Sequence, residues 1–374
     1  MFGAAPAGRR GRREGGADGA AQMKAVQKRV TMAAIAAAAD VSVPTVSKVL
    51  NGRPDVAAGT RVRVESVLSE FGYARSPRRR TQPTRLIDLV CTEFSPWATE
   101  ISRGASAAAL AAGCRIAVTA VSNDTDVDNW LGSLTASRTN GVILVLTELS
   151  RAQRGRLAEL QVPVVIVDPV GQPDPEVLSI GAANWAGGLA ATDHLLKLGH
   201  RRIGTITGNP AVLCSQARLD GYRAALERAD IAVDPELVRT GDFHYESALE
   251  AASALLRLPD RPTAIFAASD VQAMGVYEAA RQNGLRLPQD LSVVGFDDVP
   301  MAQWVSPPLT TLRQPLAEMA TLATRTLLAG DPIGLQNRVE LATTLVVRSS
   351  TQPPPGGAVS RPAARRPRPR RPAQ

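Results

Sequence analysis

Two periodicities divide the chain. Between residues 31 and 74 apolar positions recur at helical spacing in three short stretches. Thr31 stands before Met32-Ala-Ala-Ile-Ala-Ala-Ala-Ala39, an alanine-rich run of high helix propensity with a hydroxyl placed to cap it. Asp40 interrupts the run and is a residue type that tolerates the left-handed conformation of a tight turn. Ser42 caps a second stretch, Val43 to Leu50, with Pro44 in the first turn, where a missing N–H is harmless. A third helix is expected over 60–72, with Ile35, Val46, Val49, Leu50, Val64, Leu68 and Phe71 forming one small core. Two short helices about a tight turn, closed by a third, describe a helix-turn-helix.

From Leu86 the pattern changes to short apolar runs alternating with amphipathic stretches. Strands are predicted at Leu86 to Cys91, Arg115 to Val121, Gly141 to Leu146, Val162 to Val167, Ile203 to Thr207, Thr263 to Ala267 and Leu291 to Gly295. Helices are predicted between them at 97–112, 127–138, 150–160, 184–198, 214–229, 246–257 and 271–283. Strand and helix in alternation mean parallel sheets covered on both faces. About 265 residues suit two α/β lobes better than one. Residues 75–85 carry Pro77, Pro83 and several arginines without apolar periodicity and read as a linker.

Charge sharpens this division. The 374 residues carry a formal net charge of +8, yet 31–85 alone holds nine Lys/Arg against four acids, and 86–350 holds twenty-one against twenty-nine. An acidic body with a basic, structured N-terminal part points to a polyanion partner for that part, nucleic acid first. The Arg-rich ends, 1–28 and 351–374, read as solvated low-complexity tails. No apolar run approaches bilayer length, and no hydrophobic signal core follows Arg9 to Arg13, so neither a membrane nor export is expected. Cys91, Cys114 and Cys214 are odd in number and widely spaced, which supports no disulfide framework or metal motif and fits a reducing cytoplasm.

Enzyme signatures fail. No two glycines stand at i and i+2, no lysine follows a glycine, and His194, His200 and His244 form no HExxH. Gly104-Ala-Ser-Ala-Ala108 lacks the last glycine of a nucleophile elbow. Neither catalysis nor a cofactor or metal is expected.

An ordered series of motifs nevertheless resembles the lac repressor family of bacterial transcription regulators. The head motif is echoed by Val41-Ser-Val-Pro-Thr-Val-Ser-Lys-Val-Leu-Asn51, then by Val56 and Phe71-Gly-Tyr73. In the body, Leu198-Gly-His-Arg-Arg-Ile203, Arg218-Leu-Asp-Gly-Tyr222, Ser269-Asp270 with Ala273-Met-Gly275, Val293-Val-Gly-Phe-Asp-Asp298 and Pro308-Leu-Thr-Thr-Leu-Arg-Gln314 follow in order. The resemblance covers about 31–350. It implies a small all-α helix-turn-helix head (29–74) and an α/β two-lobed body like periplasmic binding proteins, with parallel sheets (86–350). One lobe would comprise about 86–181 and 315–330, the other about 182–313 and 336–350. The implied assembly is a homodimer or a dimer of dimers on double-stranded operator DNA, with a small-molecule effector in the cleft.

Site residues follow from the same resemblance. Val43 and Pro44 stand where the family reads bases; they carry no hydrogen-bonding side chain, which limits them to apolar contact such as a thymine methyl. Lys48 is expected on a base or a phosphate, and Ser42, Thr45, Ser47 and Asn51 on the DNA backbone, Ser42 serving equally as a helix cap. The family's hinge leucine is missing, and Arg78, Arg79 and Arg80 stand in its region, either to enter a minor groove or as a passive tether. In the body, Arg218 and Asp270 match ligand-gripping positions, Phe243 an aromatic wall, and Gln314 a crossing between lobes. Phe94 and Trp97 follow the first strand, where open α/β sheets place ligands, though Trp97 also suits a core or dimer contact. Asp168 ends the fourth strand and is expected to face the cleft, Asp297 and Asp298 are assigned to capping the loop after their strand, and Cys214 to a small core role. A sugar suits the polar pair; a purine or nucleoside is the alternative effector, and a solute-binding protein or enzyme is disfavoured by the head and the empty motif search.

Overall fold

The computed structural model describes residues 31–50, 53–71, 85–137, 139–329 and 337–355. They fall into two units, one within residues 1–82 and one within 83–374. In the first, α1 (Met32–Ala38) begins under its cap, the Thr31 hydroxyl accepting from the Ala34 N–H at 3.3 Å. Asp40 turns the chain with φ of 51°, as its position between two helices requires. Next come α2 (Val43–Leu50) and α3 (Ala58–Glu70), the latter starting two residues before the expected 60. Ile35, Ala36, Ala39, Val46, Val49, Val64, Val67 and Leu68 form the core, with Leu50 partly buried at its edge. Phe71, expected inside, is exposed: α3 at thirteen residues outruns the seven and eight of α1 and α2, so its end lacks a packing partner.

The second unit opens with β1 (Arg85–Cys91), α4 (Pro96–Ala111), β2 (Cys114–Ala120), α5 (Asp124–Ser137), β3 (Val142–Val145), α6 (Arg151–Glu159), β4 (Val164–Val167) and β5 (Leu178–Ala182). It continues with α7 (Asn184–Lys197), β6 (Ile203–Ile206), α8 (Leu213–Arg228), β7 (Val238–Arg239), α9 (Tyr245–Leu256), β8 (Ala264–Ala267) and α10 (Asp270–Gln282). Then follow β9 (Ser292–Asp297), α11 (Met301–Trp304), β10 (Thr310–Arg313), α12 (Leu316–Ala329), β11 (Arg338–Leu341) and β12 (Thr344–Val346). Two six-stranded sheets result, ordered β11-β5-β4-β3-β1-β2 and β12-β10-β9-β8-β6-β7. Every described pairing is parallel except β10 with β12.

Apolar residues line both faces of each sheet, as parallel strands between helices require. In the first lobe α4 and α12 cover one face through Ile101, Ala105, Met319 and Ala323, and α5 and α6 the other through Trp130, Leu131 and Leu157. In the second, α9 and α10 pack on one side through Leu255 and Val276, and α7 and α8 on the other through Leu195 and Tyr222. The α7–α8 crossing is close: a Cβ on Gly188 would lie 2.2 Å from the carbonyl oxygen of Arg218, and one on Gly221 would lie 2.2 Å from that of Trp185.

The chain passes between lobes three times, at Ala183, at Gln314–Pro315 and at 342–343. The third passage corrects one boundary, because β11 pairs with β5 in the first sheet, so 336–350 does not lie wholly in the second lobe. Residues 351–355 are not a free tail. Gln352 donates its N–H to Ser292 Oγ at 3.0 Å and accepts from His200 Nε2 at 2.8 Å.

Candidate functional site

A cavity of about 600 Å³ lies between the two sheets of the body, where the strand ends of both lobes face each other. Open α/β sheets bind ligands beyond the carboxyl ends of their strands. Several wall residues leave their strands with positive φ, namely Leu146 (47°), Asp168 (48°), Phe243 (74°) and Asp297 (116°). Such backbone persists only where the surrounding structure holds it, and it clusters at functional sites.

Arg218, from the second turn of α8, is the centre of the site and is 3% exposed. Its Nε donates to Asn184 Oδ1 at 2.9 Å and its Nη1 to the Ala268 carbonyl at 2.5 Å, which fixes the guanidinium plane from both sides. The same group lies 3.8 Å over the ring of Phe296 and 5.8 Å from that of Phe243, distances at which a cation is attracted to an aromatic face. Phe243 in turn occupies the space over Gly208, where a Cβ would lie 1.9 Å from the ring.

Two buried carboxylates share this one buried cation. Asp297 Oδ1 is 3.8 Å from Arg218 Nη1 and accepts from Gln314 Nε2 at 2.6 Å. Burial pushes Asp297 up to about 7 and Asp168 up to about 6, in each case against the pull of Arg218. Asp168 Oδ2 is buried without a hydrogen-bond partner, as is Gln314 Oε1. Asp168 lines the cavity, so a donor placed there can satisfy its free oxygen. Cys214 also lines the wall; burial raises its thiol to about 12, so it stays protonated.

The expected body residues divide. Arg218, Asp168, Phe243 and Trp97 all line the cavity, Trp97 also belonging to the core under α4. Phe94 does not: it is 67% exposed and is not part of the wall. Asp270 is the larger correction. Its carboxylate is fully buried, accepting from the Val299 N–H at 2.9 Å and from the Thr311 hydroxyl at 2.5 Å against Gly295, and it lies behind the cavity wall. Asp297, assigned from sequence to a loop cap, takes the cleft-facing place, and Asp298 instead pairs with Arg313 and Arg348 at 2.6 and 2.5 Å. Gln314 orients Asp297 from behind. Asn184, the partner of Arg218, was not anticipated; its place as the first residue after a crossing is the sequence signal that marks it.

In the head, Ser42, Val43, Pro44 and Lys48 are exposed on α2, while Thr45 and Ser47 are half-buried. The Ser42 hydroxyl accepts from the Thr45 N–H at 3.4 Å and lies 2.9 Å from the Thr45 hydroxyl, so the capping role is present. Lys48 pairs with Asp55 at 2.8 Å, a solvent-exposed ion pair of small strength. Asn51, Arg78, Arg79 and Arg80 lie outside the described residues. No group of His, Cys, Asp and Glu suited to a metal occurs among the described residues, and no single described helix is long and apolar enough to cross a membrane.

Comparison with known proteins agrees with this architecture. Residues 31–76 match the profile of bacterial regulatory proteins of the lacI family, and 192–351 that of a periplasmic binding protein-like domain. The ribose operon repressor of Haemophilus influenzae is 34% identical over 327 residues, covering 86% of this chain and 98% of its own. The transcriptional regulator CelR in complex with cellobiose superposes with a TM-score of 0.65 at 32% identity, over 86% of this chain and all of the other. The lac repressor dimer bound to operator and an anti-inducer superposes with a TM-score of 0.65 at 27% identity, over 86% and 99%.

Proposed function

The chain belongs to the lacI family of bacterial regulatory proteins and is a DNA-binding transcriptional regulator; from that premise we propose that a small sugar in the cleft between its lobes controls operator binding. The observation that carries this is the Arg218 guanidinium, fixed by Asn184 and the Ala268 carbonyl beside Asp297, with Asp168 Oδ2 unpartnered nearby. A guanidinium donates to neighbouring hydroxyl oxygens while carboxylates accept from them, and the rings of Phe243 and Trp97 supply apolar faces for a sugar ring. The relatives named for ribose and cellobiose support a carbohydrate.

The head would act in a symmetric pair, as the lac repressor dimer does on its operator. Val43 and Pro44 present apolar surface to base edges, and Ser42, Thr45, Ser47 and Lys48 face the phosphates. The regulator works without catalysis, in the cytoplasm where its DNA lies. Two aromatic residues line the cavity, Trp97 from the first lobe and Phe243 from the second, and such a pair also suits a nucleobase, which keeps a nucleoside effector as the second reading.

Titrating the full chain with ribose, cellobiose, glucose, adenosine and cytidine in a thermal-shift assay separates the two readings. A ligand that binds only the folded form raises the midpoint, by about 2.7 kcal/mol of stabilisation at a hundred times Kd. A response confined to nucleosides would overturn the sugar reading. Arg218→Ala should abolish whichever shift is found, and its persistence would place the ligand elsewhere.

A further inference from the structure

The three chain crossings fix where the body can hinge. They join strands β5, β11, β10 and β12, which form one edge of each sheet. The cleft is therefore tied along that edge and free at the other, bounded by β1 and β2 in the first lobe and by β6 and β7 in the second. An opening rotation about the crossings displaces the free end most.

At that free end the lobes touch through ionisable side chains. Glu93, two residues past β1, places Oε2 3.0 Å from Nε2 of His244, five residues past β7. The other ring nitrogen, Nδ1, lies 3.3 Å from Asp242 Oδ1. Asp242 is held on its own loop by the His244 N–H at 3.0 Å and by the Ser247 hydroxyl, so it orients the imidazole toward the opposite lobe. Glu93, Asp242 and His244 all border the cavity, so this contact bridges the two lobes beside it.

The chemistry of the ring decides what the contact needs. A neutral imidazole carries one N–H and donates to one carboxylate; only the imidazolium donates to two. Both nitrogens here face carboxylates, and Asp124 and Glu148 also line the cavity. We propose that Glu93 and His244, with Asp242 as the positioning residue, clasp the lobes shut at the mouth of the cleft when the imidazole is protonated. Release of the effector, and with it the response of the regulator, then depends on pH.

The direction of that dependence follows from the partners. The hydrogen bond to Glu93, then the charges of Glu93 and Asp242, raise His244 above the usual imidazole value of 6.5 in spite of partial burial. The closed form therefore gains its full stabilisation below pH 6.5 and loses it as pH rises through the raised value of the clasped ring. A rise in pH through that value would bias the lobes towards opening.

Spin labels at Ala152→Cys on α6 and Glu250→Cys on α9 report the separation of the lobes in the ligand-free full chain, the three native cysteines being buried. Pulsed electron spin resonance should show the closed-to-open ratio falling by about two- to fivefold between pH 6.0 and 8.5, the range set by an exposed ion pair. Glu93→Gln and His244→Gln should each remove that pH dependence, and His244→Arg should hold the lobes closed at both pH values. Circular dichroism checks that the variants, altered at half-exposed side chains, keep the fold. Distances in the parent chain that do not change with pH, or a Glu93→Gln chain that titrates as the parent does, would overturn the clasp.

Discussion

Replacing Arg218 by methionine isolates what one buried cation does for the body. Methionine fills a similar volume without charge or donors. The change removes the donors to Asn184 Oδ1 and to the Ala268 carbonyl, along with the stacking on Phe296. Each buried acceptor left without a donor costs about 1 to 3 kcal/mol, partly offset by the apolar packing of the new side chain. Breaking a buried ion pair from one side typically costs about 3 to 5 kcal/mol, and that is the expected total near neutral pH. For a body of this size the melting temperature should fall by about 6 to 20 °C.

The pH dependence makes the test specific. Asp297 and Asp168 lie at about 7 and about 6 in the folded chain, above the ordinary 3.8, because burial disfavours their charged forms. Carboxylates raised by folding contribute no penalty below about pH 4, and one that grows as pH rises from there to their folded values and then levels off. Arg218 restrains both values, so its removal raises them further and extends the penalty to higher pH. Calorimetry of parent and variant should show a difference that widens from pH 5.5 to 8.5. A difference that is constant or shrinks would refute the account of Arg218 as the counter-charge of both acids.

Three further outcomes are expected. Gly188→Ala should destabilise the body by about 1 to 3 kcal/mol in chemical denaturation, since its Cβ would overlap the Arg218 carbonyl 2.2 Å away, and it should weaken effector binding by displacing α8. Asp55→Asn should tighten binding to a duplex in fluorescence anisotropy and steepen its log-log salt slope by about 0.9, because it frees Lys48 for one more phosphate. In a site selected from random duplexes, replacing a thymine contacted by Val43 with uracil should weaken binding by about 1 kcal/mol, the worth of one buried methyl; an unchanged affinity at every thymine would remove Val43 from base reading.

Elements with strong period or composition were legible in the sequence. The helices of the head and seven body strands appeared near their predicted places because continuous apolar runs mark strands buried on both faces. Strands β5, β7, β10, β11 and β12 were missed for the opposite reason. Leu178-Ser-Ile-Gly-Ala182 is too mixed, Val238–Arg239 too short, and Arg338-Val-Glu-Leu341 is an edge strand with alternating exposure that a single chain does not distinguish from a loop. Helix α12 went unmarked among the predicted helices because it follows directly on a crossing. At the site, Arg218 and Asp168 were identified, and Asp297, which pairs with Arg218, was not. Asp270 and Asp297 both follow parallel strands, and which carboxylate faces the cleft depends on the backbone turn at each: Asp270 starts α10 and folds inward, whereas Asp297 leaves β9 with φ of 116°. Position along the chain carries no such information.

The three passages between lobes also govern how this architecture can be recombined. Neither lobe is a continuous stretch of sequence, so no single exchange of chain ends can transplant one effector-binding half onto another regulator. A chimera that keeps both halves intact needs junctions at Ala183, at Gln314–Pro315 and at 342–343 together. The head, by contrast, is contiguous and ends before the body begins, so it can be exchanged at one seam. New pairings of operator and signal are thus far more accessible by moving heads than by shuffling lobes, and the body must change its ligand by substitution within its own walls.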